Sequence, residues 1–261
     1  MPVQINSRKM IGFCLMALAI AFFISSRSGC FQKHWDKLSS ADRQTLDRIL
    51  VHWDSWVPAR KNIGTAPLMT FEEVYSGFGA PEHDFLNRIR AIRPPNKIYL
   101  GDIEGVPFKR IEEQWVRKDG TKASLGAQYL PEKVYGAYQN MMRAMEKDLG
   151  KRLLVDSGYR SPAYQLYTFL FFMPKHSYSI DQTREWVALP GYSEHGNPAH
   201  QAIDFINQQG INGEDNPEEF ENLPEYAWLV RRAGEFGFEL SYPRGTQGTT
   251  FEPWHWRYVE K

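Results

Sequence analysis

Apolar residues recur at helical spacing between Ser39 and Trp56, at Leu46, Ile49, Leu50, Trp53 and Trp56, behind a Ser39/Ser40 start with Asp42 in the first turn. That stripe predicts an amphipathic helix packed on the body of the protein. From residue 57 to 128 the pattern breaks up. Prolines and glycines from Pro58 to Pro107 predict short elements and loops, with helical turns over Phe71 to Tyr75 and Phe85 to Ile92. A strand or two fits Gly105 to Trp115, and Lys118-Asp119-Gly120-Thr121 carries the Asp-Gly of a hairpin turn.

The pattern sharpens at Leu130. Val134, Tyr138, Met141, Met145 and Leu149 mark one face of a helix that has Pro131 in its first turn and stops at Gly150. Arg152 to Val155 reads as a short buried strand, a second helix starts at Pro162, and Tyr226 to Phe236 reads as a third, stopped by Gly234 and Gly237. Helices alternating with short strands predict an α+β fold, with a small, mostly antiparallel sheet carrying a site on one face.

Composition narrows the function. Forty-two per cent of the 261 residues are hydrophobic, enough for a substantial core, and 31 basic residues balance 31 acidic ones. No summed field favours nucleic acid, which is not expected as a partner. The only cysteines, Cys14 and Cys30, lie in the first thirty residues, so a metal in the folded part must be held by His, Asp and Glu.

Arg8 and Lys9 precede an uncharged apolar run from Met10 to Ile24, the pattern of an export signal. Gly29-Cys30 resembles the end of a bacterial lipoprotein signal, although Arg27 stands where an aliphatic residue is usual. Residues 1–30 are therefore expected to be a signal peptide or membrane anchor, lipidated or not, and the rest of the chain periplasmic or in the cell envelope. Residues 31–128 form an N-terminal accessory region in this reading, and 129–261 a second domain that carries the chemistry.

The chemistry is concentrated in two strings, Ser193 to Asp204 and Glu252 to Tyr258. His195, Asp204 and His255 supply two imidazoles and one carboxylate, and Glu252 a spare carboxylate. A hydrolytic zinc needs this inventory: three protein ligands, an open position for water, and a base that is not itself a ligand. Each residue alone has a plainer reading: His255 as a core histidine between two tryptophans, Asp204 as a turn cap, Arg160 as a partner of Asp156 or Glu194.

Taken together, Ser157-Gly158-Tyr159-Arg160-Ser161, Pro190-Gly191-Tyr192-Ser193-Glu194-His195, Ala202-Ile203-Asp204 and Glu252-Pro253-Trp254-His255 resemble the VanY-type D-alanyl-D-alanine carboxypeptidases. That zinc peptidase group also includes lysostaphin-like enzymes and the hedgehog domain. The resemblance runs from about Tyr129 to Tyr258 and implies a hedgehog/DD-peptidase-like fold behind an N-terminal helical or irregular extension. It implies Zn2+ held by His195, Asp204 and His255, with Glu252 as general base and Arg160 on the substrate carbonyl. Ser193, Gln165, Ser157, Tyr159 and Trp254 are expected around the substrate, Trp254 as a wall and Tyr159 beneath Arg160. Eight residues separate His195 from Asp204, two more than the family usually has, and His200 in this insertion is an alternative ligand, a substrate contact or a plain loop residue.

The implied activity is removal of a terminal D-alanine from peptidoglycan stem peptides, through a D-Ala-D-Ala or an L,D bond. The alternatives are a cross-bridge endopeptidase and a non-catalytic zinc-containing wall-binding module. Arg184, Arg244 and Arg257 are unranked candidates for the cation that would receive a terminal carboxylate. Residues 31–128 are a candidate lid or specificity surface.

Overall fold

Ser39 caps the first helix, its hydroxyl accepting the Asp42 N–H at 3.1 Å, and helix α1 runs over Ser40–Asp54. The structure is a computed structural model that describes residues 37–94, 105–112, 114–118, 120–214, 216–246 and 250–260; the expected export segment lies outside these residues. Among them no helix is long and apolar enough to cross a membrane.

Helices α2 (Val57–Asn62), α3 (Phe71–Tyr75) and α4 (Ala80–Arg90) follow. Pro58 and Pro81 lie in the first turns of α2 and α4, where a missing N–H costs nothing. Prolines read from the sequence as breaks thus begin helices, and the turn expected at Phe85 is the middle of a helix that starts at Ala80. A capping box, Thr70 with Glu73, starts α3.

The stripe of α1 is buried. Leu46, Ile49 and Trp53 share one core with Phe85, Leu86 and Ile89 of α4 and with Leu166, Phe169 and Leu170 of helix α6 (Pro162–Phe172). Trp53 donates its indole N–H to the Val74 carbonyl at 3.1 Å inside that core. The N-terminal helices therefore pack directly on the helix that follows Arg160.

Strands β1 (Phe108–Ile111) and β4 (Gln128–Pro131) pair antiparallel, as do β2 (Trp115–Lys118) and β3 (Thr121–Ser124), whose Lys118↔Thr121 register closes the expected hairpin. Pro131 ends β4 and caps helix α5 (Glu132–Leu149), one position earlier than its expected place in the first turn. Gly150, at φ +65°, ends α5 in the left-handed region that glycine enters without penalty.

The main sheet has four strands in the order β5-β6-β8-β7, all antiparallel: β5 (Leu153–Ser157), β6 (Ala202–Asn207), β8 (His255–Tyr258) and β7 (Phe238–Leu240). Tyr138 and Met142 of α5 and Trp228 and Leu229 of helix α9 (Pro224–Arg232) join Ile203, Phe205 and Trp256 in a second core on one face of this sheet. Short helices α7 (Ile180–Arg184) and α8 (Pro217–Glu221) were not anticipated from the sequence. The whole is α+β, a small antiparallel sheet flanked by helices behind a helical N-terminal layer.

Candidate metal centre

Alternation along the strands sorts core from site. On β6, Ile203 and Phe205 point into the core, so Asp204 between them faces the other way. On β8, Trp256 is buried in the core and His255 and Arg257 take the opposite face. Asp204 is the register partner of both Ser157 on β5 and His255 on β8. Two residues 51 positions apart in sequence thus become cross-strand neighbours.

His195 arrives from a short 3-10 turn, Glu194–Gly196, capped by the Ser193 hydroxyl, which accepts the His195 N–H. Its Nδ1–H donates to the Gly158 carbonyl at 2.8 Å, leaving Nε2 3.0 Å from Asp204 Oδ2. A side chain at Gly158 would meet the Tyr129 carbonyl at 2.4 Å, so only glycine brings that acceptor this close. His255 presents Nδ1 to Asp204 Oδ1 at 2.7 Å and Nε2 to Glu194 Oε2 at 3.1 Å. The donor atoms of His195, Asp204 and His255 all lie within 4.8 Å of one another, with both imidazoles buried.

This donor set fits a divalent cation of borderline hardness. Each imidazole has its remote nitrogen tied to an acceptor, which fixes the tautomer and leaves the other nitrogen free to ligate. Three ligands leave a further position open. Glu252 Oε2 stands 3.8 Å from His255 Nδ1.

From the protein groups alone, the charges are polarised. Burial opposes ionisation of Asp204, but the two histidines outweigh it and hold its carboxyl well below the usual range. Burial lowers His195, and Asp204 offsets this only in part. His255 is raised to about 9, because Asp204 and Glu194 overcome its burial. Glu194 is held at about 2, its burial outweighed by His255 and Arg257. Glu252 moves the other way, pushed up to about 7 by burial and by the Asp204, Glu194 and Glu214 carboxylates against the opposing pull of His255. Two neighbouring carboxylates are therefore driven to opposite ends of the acid range.

Arg160 donates its backbone N–H to the His195 carbonyl at 3.1 Å. Its side chain forms no ion pair among the described residues, so neither Asp156 nor Glu194 takes it, and its buried Nε has no partner. The three cations proposed for a terminal carboxylate are all engaged: Arg257 with Glu194 and Glu239, Arg244 with Glu221, and Arg184 with Asp181.

Ser157 sits at the end of β5 beside Asp204, and Ser193 is spent on its cap. Gln165 is buried in α6 and donates to the Ala188 carbonyl at 2.7 Å, with its own carbonyl oxygen unpartnered. The Tyr159 ring lies 4.2 Å from that of Phe108, and the Trp254 indole packs against Gly213. His200 ends an exposed 3-10 turn, Pro198–His200, that absorbs the insertion and stays outside the metal group.

Two contributors were missed. Glu194, read as part of a motif and as an alternative partner of Arg160, instead supports His255; its place directly before His195 was the available signal. Tyr242, whose ring lies 5.0 Å from that of His255, has no signal in sequence at all.

The profile of the VanY family, D-alanyl-D-alanine carboxypeptidase, matches residues 127–261. YodJ of Bacillus subtilis (strain 168) is 28% identical over 170 residues, covering 64% of this chain and 55% of that protein. The chain thus spans about half the length of that relative. The bifunctional D-Ala-D-Ala dipeptidase and D-Ala-D-Ala carboxypeptidase VanXYC of Enterococcus gallinarum is 31% identical over 140 residues, 50% of this chain and 67% of that one. Among solved structures, a vancomycin-resistance D,D-pentapeptidase VanY in complex with Zn(II) is similar at 24% identity and TM-score 0.44, over 60% of this chain and 80% of that one.

Proposed function

This chain belongs to the VanY D-alanyl-D-alanine carboxypeptidase family, and from that membership we propose that it is a zinc-dependent carboxypeptidase removing the terminal D-alanine of peptidoglycan stem peptides. The observation that carries the reading is the convergence of His195, Asp204 and His255 within 4.8 Å, with the Glu252 carboxylate 3.8 Å from His255.

The three converging residues would hold Zn2+, which suits two imidazoles and a carboxylate in a cysteine-free site. When bound, zinc supplies Lewis acidity toward the scissile carbonyl and lowers the pKa of a water in its open position. Glu252 is the proton carrier. A carboxylate held at about 7 accepts a proton from the attacking water at neutral pH and returns it to the departing amine of D-alanine. The Arg160 guanidinium, which forms no ion pair among the described residues, donates to the carbonyl oxygen as negative charge develops there. Asp204 stays ionised throughout because two histidines hold it so, and Glu194 keeps His255 turned toward the centre.

The substrate places this work in the cell envelope, in keeping with the export pattern of residues 1–30, which we propose serve as signal or anchor. The test is incubation of the zinc-loaded protein with stem pentapeptide and tetrapeptide, reading released D-alanine by mass beside a Glu252→Gln control. Release from the pentapeptide alone, from the tetrapeptide alone, or from both names the bond, and its loss in the control assigns the base. No release from either, with zinc retained, would shift the assignment to an endopeptidase or a non-catalytic binding module.

A further inference from the structure

Beside the metal group lies a pocket of about 280 Å3, lined by Ser157 and Arg160 at the sheet and by Lys61, Tyr164, Tyr167 and Phe171 from α2 and α6. Its volume approaches the range of about 300–1,000 Å3 in which proteins hold small ligands. Ser157 is the register partner of Asp204, so the pocket adjoins the reacting centre.

Lys61 is the unexpected member. It lies on α2, outside residues 127–261 that the family profile covers. Its ammonium sits 5.3 Å from the centre of the Tyr167 ring, and among the described residues it forms no ion pair with a carboxylate. Packing around it takes water from the ammonium and lowers its pKa from the usual lysine value. The pocket lining carries two cations, Lys61 and Arg160, against one carboxylate, Asp156. The walls between them are apolar: Tyr164 and Tyr167 stack at 5.8 Å, Tyr167 and Phe171 at 5.7 Å, and Phe171 is 44% exposed. A long side chain with an anionic end matches this lining, its methylenes on the rings and its charge on Lys61.

We propose that this pocket is a subsite for the acyl side of the substrate, and that Lys61 receives a carboxylate at the end of an acyl-side side chain. The proposal rests on the reaction assigned above. With Arg160 on the scissile carbonyl, the leaving D-alanine is a single small residue and does not need a pocket of about 280 Å3. The N-terminal helices then set specificity by contributing a charge to a site whose reacting groups all lie in the second half of the chain.

The probes are acetyl-Xaa-D-Ala-D-Ala and acetyl-Xaa-D-Ala, with Xaa as meso-diaminopimelate whose distal carboxylate is free or amidated, each also prepared with an amidated C terminus. Binding is measured on the zinc-loaded Glu252→Gln protein and turnover on the active one. The free distal carboxylate is expected to bind about tenfold tighter than its amide, the order of one charge-assisted contact. Lys61→Met should bring that ratio close to one, through KM, and Lys61→Arg should keep most of it. Lys133→Met, whose ammonium pairs with Glu260 at a different pocket, should leave the ratio as in the parent. Lys61 is exposed, so these variants retain the fold, which melting and zinc stoichiometry check.

An unchanged ratio in Lys61→Met, or no preference in the parent, overturns the proposal while leaving the carboxypeptidase reading intact. A preference that Lys61→Met erases only at the C-terminal carboxylate also overturns it, placing Lys61 on the leaving residue. A Lys61-dependent preference in binding with no turnover of any peptide upholds the subsite and strikes the catalytic reading instead.

Discussion

Nε2 of His255 lies 3.1 Å from one oxygen of Glu194, and Arg257 holds the other oxygen at 2.9 Å. The carboxylate fixes the His255 tautomer so that Nδ1 is the nitrogen offered to a metal, and Arg257 keeps the carboxylate from turning away. Glu194→Gln keeps the shape but loses the charge. Metal affinity should fall about 10- to 100-fold, the usual cost of losing such a partner. Competition against a chromophoric chelator reads it, and an unchanged affinity would mean that His255 orients itself.

Metal removal should destabilise the second half of the chain. Folding brings His195, Asp204 and His255 together from three separate segments, so an ion bound there would stabilise the folded state by mass action, about 2.7 kcal/mol at a free concentration one hundred times Kd. Dialysis against a chelator should lower Tm and abolish D-alanine release, and added zinc should restore both. A Tm indifferent to chelation would contradict a bound structural contribution from the ion.

Trp53 is fully buried between α1, α3 and α6, and its indole N–H is satisfied by the Val74 carbonyl. Trp53→Ala leaves a large cavity and an orphaned acceptor, and should cost about 3–5 kcal/mol. Urea unfolding measures this, and a loss below about 1 kcal/mol would show that the N-terminal layer contributes little to the shared core.

Asp42 links two helices of that layer through Arg88 at 2.5 Å. The hydrogen bond to Arg88 lowers its pKa below the ordinary aspartate value of 3.8. Because the folded pKa lies below the unfolded one, the pair contributes stability that is fully present above the unfolded value. That contribution is lost as pH falls through the folded one. Asp42→Asn should therefore flatten the acid limb of the stability curve below about pH 4 and leave its shape at neutral pH unchanged. Thermal melts from pH 2 to 7 would test it, an identical acid limb in the two proteins being the contrary result.

The elements legible in the sequence were those whose signals are local. The stripe Leu46, Ile49, Trp53 gave α1, the five-residue face ending at Gly150 gave α5, and the Asp-Gly turn gave the β2–β3 hairpin. The region after residue 57 was misread because proline has two meanings. Pro58 and Pro81 look like interruptions in one dimension but occupy first helical turns, where their missing N–H has no partner to lose.

For the site, the sequence by itself determined the inventory: the imidazoles of His195 and His255 and the carboxylates of Asp204 and Glu252, drawn from two short strings in a chain whose only cysteines lie in the first thirty residues. Residue type alone fixes that much, because the chemistry of a donor atom travels with the side chain. The motifs also assigned Asp204 to the metal and Glu252 to the proton, but only the tertiary structure decided how the two acids are made different. Asp204 and Glu252 are both acids near His255, yet one is pinned ionised between two histidines and the other is raised to about 7 by burial and neighbouring charge. It also decided that Glu194 orients His255, that Arg160 forms no ion pair among the described residues, and that Lys61 reaches the pocket from more than ninety residues away. Burial, strand register and the sum of surrounding charges arise only when distant segments pack, and no local pattern in the chain encodes them.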